Sequence, residues 1–363
     1  MKKIVSWLLL AATVLSLFGC GAQSAPAEAP EAQVAPTAEQ TIAPETEPVH
    51  QAEPELLPGK LFLKASSVTF SLVGETDDIY LGMIPREEIT WQSEDPAIVS
   101  VENGVLTANA VGTTVVRATY GDQVLECAVG CLAQTQEELE ALPAEVLSAP
   151  KRLPPQIDLE EPCTYFDNAA MIGDSITYHL WQSEAQNNYL GNVLFLTRNG
   201  VSINSIVRRF KNIYFEGKEM FIEDIVAKCG AQRIYLMLGC LDFQVTAARG
   251  YLMDSWNTML DLIIEKNPDV EIVIISNIPC LPDESTPEHM NATIDEVNGK
   301  LRQLCADRGF GFLDLHYYVE DHLGRIPLAY DKDVYHMNGE GSLVWMKVMR
   351  HFAQYELEGG SLS

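Results

Sequence analysis

The sequence predicts an α/β domain at the C-terminal end, built on a parallel sheet, behind a small all-β module. Two patterns carry this. Over residues 163–358, five short apolar runs alternate with stretches of helical period: Asn168–Ile172, Asn192–Thr197, Arg233–Leu238, Val270–Ser276 and Phe310–Leu315. Strands separated by helices imply a parallel sheet covered on both faces. Over residues 58–132, seven short β-type runs are instead punctuated by turn residues, the pattern of a sandwich.

The elements follow in order. Residues 1–20 read as a targeting segment: Lys2 and Lys3 precede the apolar stretch Ile4–Phe18, which is too short for a comfortable membrane span. Residues 21–57 are rich in Ala, Pro, Glu, Gln and Thr and hold almost no large apolar side chain, so they read as a disordered stalk. The β-type runs are Leu61–Leu63, Ser67–Leu72, Ile89–Trp91, Ile98–Val101, Val105–Ala108, Thr113–Thr119 and Val124–Val129, and Asn103-Gly104 between two of them is a hairpin signal. Trp91 reads as a core plug. Residues 133–162 read as a linker, with a short acidic helix over 136–147 interrupted by Pro143. Beyond it, Leu252, Trp256, Leu260 and Ile263 mark one amphipathic helix, and Met290, Ile294, Val297, Leu301 and Leu304 mark another. A last helix over 339–356 takes Asn338 as its N-cap.

Composition narrows the function. Fifty-one acidic residues against 24 basic give a net charge of −27, with no basic stripe, which argues against nucleic acid as a partner. Eight cysteines form no CxxC pair and no zinc-ligand spacing, so no metal is expected. Cys127 and Cys131, if on one strand, are too far apart for an easy disulfide. Cys229, Cys280 and Cys305 read as buried thiols and Cys240 as packing.

The chemistry centres on Gly173-Asp174-Ser175. Ser175 follows the first apolar run of the C-terminal domain and opens a helix, at the sheet edge where α/β proteins bind ligands. A helix N-terminus offers free N–H groups to a developing oxyanion. A serine hydroxyl needs a base, usually a histidine oriented by a carboxylate. Asp333-Val334-Tyr335-His336 supplies both from one loop. The Gly-x-Ser-x-Gly elbow is absent, which disfavours a typical α/β-hydrolase.

Taken together, these motifs resemble the GDSL, or SGNH, hydrolases over about 190 residues. Gly173-Asp174-Ser175 matches the family's first block, and Asp333, His336, Asn338 and Gly341 match its last. The resemblance implies a flavodoxin-like three-layer fold without cofactor or metal. It implies Ser175 as nucleophile, His336 as base and Asp333 as its partner, with the N–H groups of Ser175 and Gly200 as oxyanion donors. The family's third block ends Gly-x-Asn-Asp, whereas this chain reads Gly239-Cys240-Leu241-Asp242. Leu241 cannot donate the hydrogen bond that the usual Asn supplies; Asn199 and Asn204 are candidate substitutes.

Two further resemblances concern the N-terminal part. Leu17-Phe18-Gly19-Cys20 resembles a bacterial lipobox, which implies lipidation of Cys20 and attachment to the outer side of the cytoplasmic membrane. The stretches Ile89–Pro96, Val99–Val101, Asn103–Ala108 and Gly112–Thr114 resemble the bacterial Ig-like group 2 (BIG2) domain, a spacer or adhesion module. The expected whole is a membrane-anchored lipoprotein esterase acting on acyl esters, in particular acetylated carbohydrate. The alternative is a catalytically weak SGNH-fold protein that binds envelope or extracellular glycan.

Overall fold

The computed structural model describes residues 61–357, apart from residues 83, 211–212, 245–250, 285 and 288. The expected signal segment, Cys20 and the stalk 21–57 lie outside the described residues. No described helix is long and apolar enough to cross a membrane.

The first part is a pair of sheets on one core. Strands β1 (Ser67–Leu72), β3 (Thr90–Ser93), β6 (Gly112–Tyr120), β7 (Gln123–Ala133) and β8 (Arg152–Leu153) form a sheet in the order β3-β6-β7-β1-β8. Strands β2 (Thr76–Asp78), β4 (Val99–Glu102) and β5 (Val105–Ala108) form a second, in the order β2-β5-β4. Alternate side chains of both sheets, among them Phe70, Val99, Leu106, Val116, Ala118 and Val129, meet in one apolar cluster. The hairpin between β4 and β5 pairs Glu102 with Val105, leaving Asn103-Gly104 as a two-residue loop with φ of 49° and 81°. Positive φ at both positions is what the favoured hairpin turn demands. Half-buried Trp91 packs against the same core, its ring 3.2 Å from where a Cβ on Gly104 would stand. The run Leu61–Leu63 contributes a single bridge, Leu63 to Leu81, rather than a strand.

The connecting segment 133–162 is ordered. Its helical stretch is two helices, α1 (Gln136–Glu140), capped by the Thr135 hydroxyl, and α2 (Ala144–Leu147), which opens after Pro143. Strand β8 then pairs antiparallel with β1, and Pro150 bridges to Asp321 in the C-terminal part.

That C-terminal part has a five-stranded, all-parallel sheet: β9 (Ala169–Gly173), β10 (Leu194–Thr197), β13 (Arg233–Met237), β14 (Glu271–Ile275) and β15 (Gly311–Leu313), in the order β10-β9-β13-β14-β15. This is the 2-1-3-4-5 order of the flavodoxin-like fold. Side chains alternate cleanly between the faces. Ala170, Ile172, Ile234, Leu236, Ile272 and Ile274 pack against α4 (Ile203–Val207), α5 (Ile222–Cys229), α7 (Leu252–Lys266) and α8 (Met290–Arg308). Met171, Tyr235, Met237, Val273 and Ile275 pack against α3 (Ser175–Asn187) and α9 (Gly339–Leu357). Sequence reading had no counterpart for the small hairpin of β11 (Ile213–Phe215) and β12 (Lys218–Met220). Its three-residue strands are too short to show a period. The short helix α6 (Cys240–Gln244) follows β13.

The β module meets the α/β domain on polar contacts. Asp77 is the hub: its carboxylate accepts from Arg152 at 2.5 Å and from the Tyr317 hydroxyl at 3.0 Å. Lys64 lies 3.8 Å from the centre of the Tyr317 ring. Two buried histidines of the α/β domain complete the junction. His322 Nδ1 is 3.0 Å from the Ser71 hydroxyl, and His351 stacks on Tyr80. Burial pushes both down to about 4, with nearby Lys64 also acting on His351 and Lys151 and Arg152 on His322. Between pH 6.5 and 4 the unfolded chain therefore binds protons that the folded one excludes, and stability falls as the pH drops through that window. We predict that urea unfolding of the wild type shifts more between pH 7 and pH 5 than that of His322→Asn/His351→Phe, by about 2 kcal/mol for each histidine removed. Equal shifts would contradict the assignment.

Candidate active site

The nucleophile candidate sits at a turn that only glycine allows. A Cβ on Gly173 would lie 2.0 Å from the Thr177 hydroxyl and 2.8 Å from the Met237 carbonyl oxygen, so β9 can pass directly into α3. Asp174 is the helix cap, its carboxylate accepting the Ile176 N–H at 2.9 Å. Burial raises Asp174 to about 7, opposed by that N–H and reinforced by the nearby Asp242. Ser175 follows, half-buried at the carboxyl edge of the sheet and the amino end of α3.

The acid–base pair comes from a tight turn before α9. Asp331 and Met337 form a bridge, Lys332 N–H donates to the His336 carbonyl at 2.8 Å, and Tyr335 N–H donates to the Asp333 carbonyl at 2.7 Å. Val334 takes a φ of 67°, a rare conformation for a β-branched residue. Its carbonyl accepts from Leu281 N–H at 2.8 Å, which ties the turn to the segment after β14. Asn338 fixes the other side, its Oδ1 accepting the N–H groups of Glu340 and Gly341 as the cap of α9. Gly341 has no room for a side chain, since a Cβ would lie 2.8 Å from that of Met337.

These two turns meet. His336 Nε2 is 2.8 Å from Ser175 Oγ, and His336 Nδ1 is 2.5 Å from Asp333 Oδ1. With Nδ1–H donating to the carboxylate, Nε2 is left to accept the serine proton. The half-buried imidazole is thus oriented from one side and presented to a hydroxyl on the other. Such a chain can generate a nucleophile and return the proton to a leaving group.

Gly200 lies in the turn between β10 and α4, with φ of 82° and nothing within 4 Å of a hypothetical Cβ, so conformation rather than space calls for glycine. Arg198 N–H donates to the Gly173 carbonyl at 3.2 Å, which holds this turn beside the nucleophile strand. Asp242, from the divergent third block, anchors it from the far side. Its two carboxylate oxygens accept Ile203 N–H at 3.0 Å and Asn204 N–H at 3.2 Å, capping α4 from another element. Leu241 is half-buried in α6 and brings no polar atom to the site. Asn199 is exposed and Asn204 half-buried. Cys240 is half-buried beside Leu241, and burial holds its thiol far above the range of a thiolate nucleophile. All seven described cysteines are free.

Sequence reading missed two neighbours of this chain. His179, one turn after Ser175 on α3, lies with its ring centre 4.6 Å from that of His336. Lys332 Nζ is 3.0 Å from His179 Nδ1. Burial lowers the pKa of His179, with His336 and Lys332 adding to the effect and Gln182 and Asp333 opposing it. The i, i+4 spacing of Ser175 and His179 was the available signal, since such residues share one helix face. His179, Asp333 and His336 hold donor atoms within 4.8 Å of one another, a set that a metal ion can use. An ion there would compete for the imidazole and carboxylate that contact Ser175.

Residues 171–343 match the model of the GDSL-like Lipase/Acylhydrolase family. No curated protein matches. Solved structures that resemble the chain include a GDSL-like lipase from Bacteroides thetaiotaomicron, at 14% identity and TM-score 0.43, covering 53% of this chain and 90% of that one. Another is a catalytic mutant of an acetylxylan esterase from Geobacillus stearothermophilus, at 17% identity and TM-score 0.36, covering 50% and 92%.

The Asp242 cap yields a prediction. Asp242→Ala leaves two helix N–H groups without their acceptor, which should cost about 1–3 kcal/mol of stability. Because the Gly200 turn loosens, turnover of a small ester should fall by more than the loss of folded protein accounts for. Urea titration and kinetics at one temperature check both; unchanged turnover per folded molecule would show that Asp242 does not position the turn.

Proposed function

We propose how this ester-hydrolysing enzyme of the GDSL-like type works, and on what. Ser175 attacks the ester carbonyl while His336 takes its proton through Nε2. Asp333 orients the ring and stabilises the imidazolium that forms. His336 then returns the proton to the departing alcohol, and water hydrolyses the acyl-serine by the same path in reverse. The N–H groups of Ser175, at the start of α3, and of Gly200 stabilise the oxyanion. The observation that carries this reading is the unbroken contact from Ser175 Oγ to His336 to Asp333, at 2.8 and 2.5 Å.

The substrate class we propose is an O-acyl, in particular acetyl, ester on a glycan. The protein would meet it outside the cytoplasmic membrane, held by a lipid on Cys20, with the stalk and an Ig-like module as spacers. The lipobox-like end of the N-terminal segment and the paired β sheets support this placement. Leu241 favours a second reading, a weak or inactive enzyme that retains glycan binding, because a lost oxyanion donor costs about 10²–10³ in rate elsewhere.

Hydrolysis of p-nitrophenyl acetate by wild type and Ser175→Ala tests the first reading. We expect turnover to fall to background in the variant, and equal turnover would refute the role of Ser175. Leu241→Asn separates the readings. We expect it to raise turnover, and a folded variant with unchanged or lower turnover would mean that another group already fills the donor's place.

A further inference from the structure

The cation beside His179 has no evident use in the reaction as so far described. Lys64, Lys151, Lys228, Lys266 and Lys300 each lie within 4.0 Å of a carboxylate. Lys218, Lys347 and Lys332 have no carboxylate in that range among the described residues, and of these three the one that stands against His179 is Lys332. Its neighbour Asp333 directs its carboxylate to His336 instead. The Lys332 ammonium is exposed and rests against His179, 3.0 Å from Nδ1 and 3.5 Å from Nε2. That histidine in turn touches the His336 ring. A fixed positive charge thus stands one imidazole away from the base that must itself become positive during attack. Alone, it works against the reaction, because two like charges at short range oppose formation of the imidazolium. An anion held at Lys332 offsets that repulsion. In a chain of net charge −27, whose overall field repels anions, a local cation is also what an anionic ligand needs.

We propose that Lys332, positioned by His179, receives an anionic group of the substrate, so that the preferred ester lies on a molecule carrying a carboxylate or similar charge within reach of the scissile bond. This rests on the esterase reading above and deepens it. The charge can belong to the alcohol, as on an acidic sugar, or to the acyl chain, as in a half-ester of a diacid. The structure assigns the anion to the Lys332 side of the site in either case.

Two matched pairs of esters test it on the full-length protein. For the alcohol side the pair is the acetyl esters of methylumbelliferone and carboxyumbelliferone. For the acyl side it is p-nitrophenyl hexanoate and the p-nitrophenyl half-ester of adipic acid. The quantity read is the ratio of kcat/KM, anionic over neutral, within each pair. For at least one pair it should drop about fivefold in Lys332→Ala, the scale of one exposed ion pair, further in Lys332→Glu, and be retained in Lys332→Arg. Added salt should lower the wild-type ratio and leave that of Lys332→Ala nearly flat. The pair that responds identifies which side carries the charge. Ratios unchanged in both pairs for Lys332→Ala and Lys332→Glu, with the proteins active, overturn the proposal. If Ser175→Ala instead hydrolyses these esters as fast as wild type, the esterase reading fails first and this inference with it.

Discussion

The site depends on a steric constraint at Gly173. With the Thr177 side chain and the Met237 carbonyl against it, position 173 admits no Cβ. The chain can therefore leave the innermost packing of the sheet and enter α3 within two residues. A larger residue would push β9 away from β13 or α3 away from β9. Either movement would carry Ser175 out of reach of His336, whose position is set independently by the turn before α9. The geometry is the meeting of two rigid pieces, and small errors in either one accumulate at the Ser175–His336 contact.

Buried carboxylates support the nucleophile turn and the Gly200 turn beside it. Asp174 and Asp242 lie out of water in a protein already burdened with negative charge, and burial raises the pKa of both. Their oxygens take backbone N–H groups at the starts of α3 and α4 that would otherwise go unsatisfied. Asp242 has a structural task that its neighbour Leu241 does not share. The Asp caps a helix that carries the Gly200 turn, whereas Leu241 brings no polar atom to the site. Charge at the surface of the site follows another logic, in which Lys332 has no carboxylate partner among the described residues and rests against His179.

Much of this was legible in the sequence. The five parallel strands and the helices α7, α8 and α9 were visible because buried strands read as continuous apolar runs and amphipathic helices repeat every three to four residues. The Asn103-Gly104 hairpin was visible because its turn chemistry is local. Ser175, Asp333 and His336 were singled out by the joint resemblance of their two motifs to the GDSL hydrolases, since either motif alone is a weak signal. What was not legible depends on contacts distant along the chain. Strand β8 exists only because β1 offers an edge to pair with. Asp77 becomes the hub of the junction only when Arg152 and Tyr317 arrive from far along the chain. Lys332 and His179 are separated by 153 positions, and no periodicity joins them.

The most direct test of the central claim is to catch the covalent intermediate. The protein is mixed with p-nitrophenyl acetate, quenched in acid within the first turnovers, digested, and the peptides are weighed by mass spectrometry. The account predicts a single acetyl group on the peptide that carries Ser175, absent from Ser175→Ala and removed on longer incubation before quenching. An acetyl group elsewhere that turns over, or steady hydrolysis with Ser175 never acylated, would contradict it.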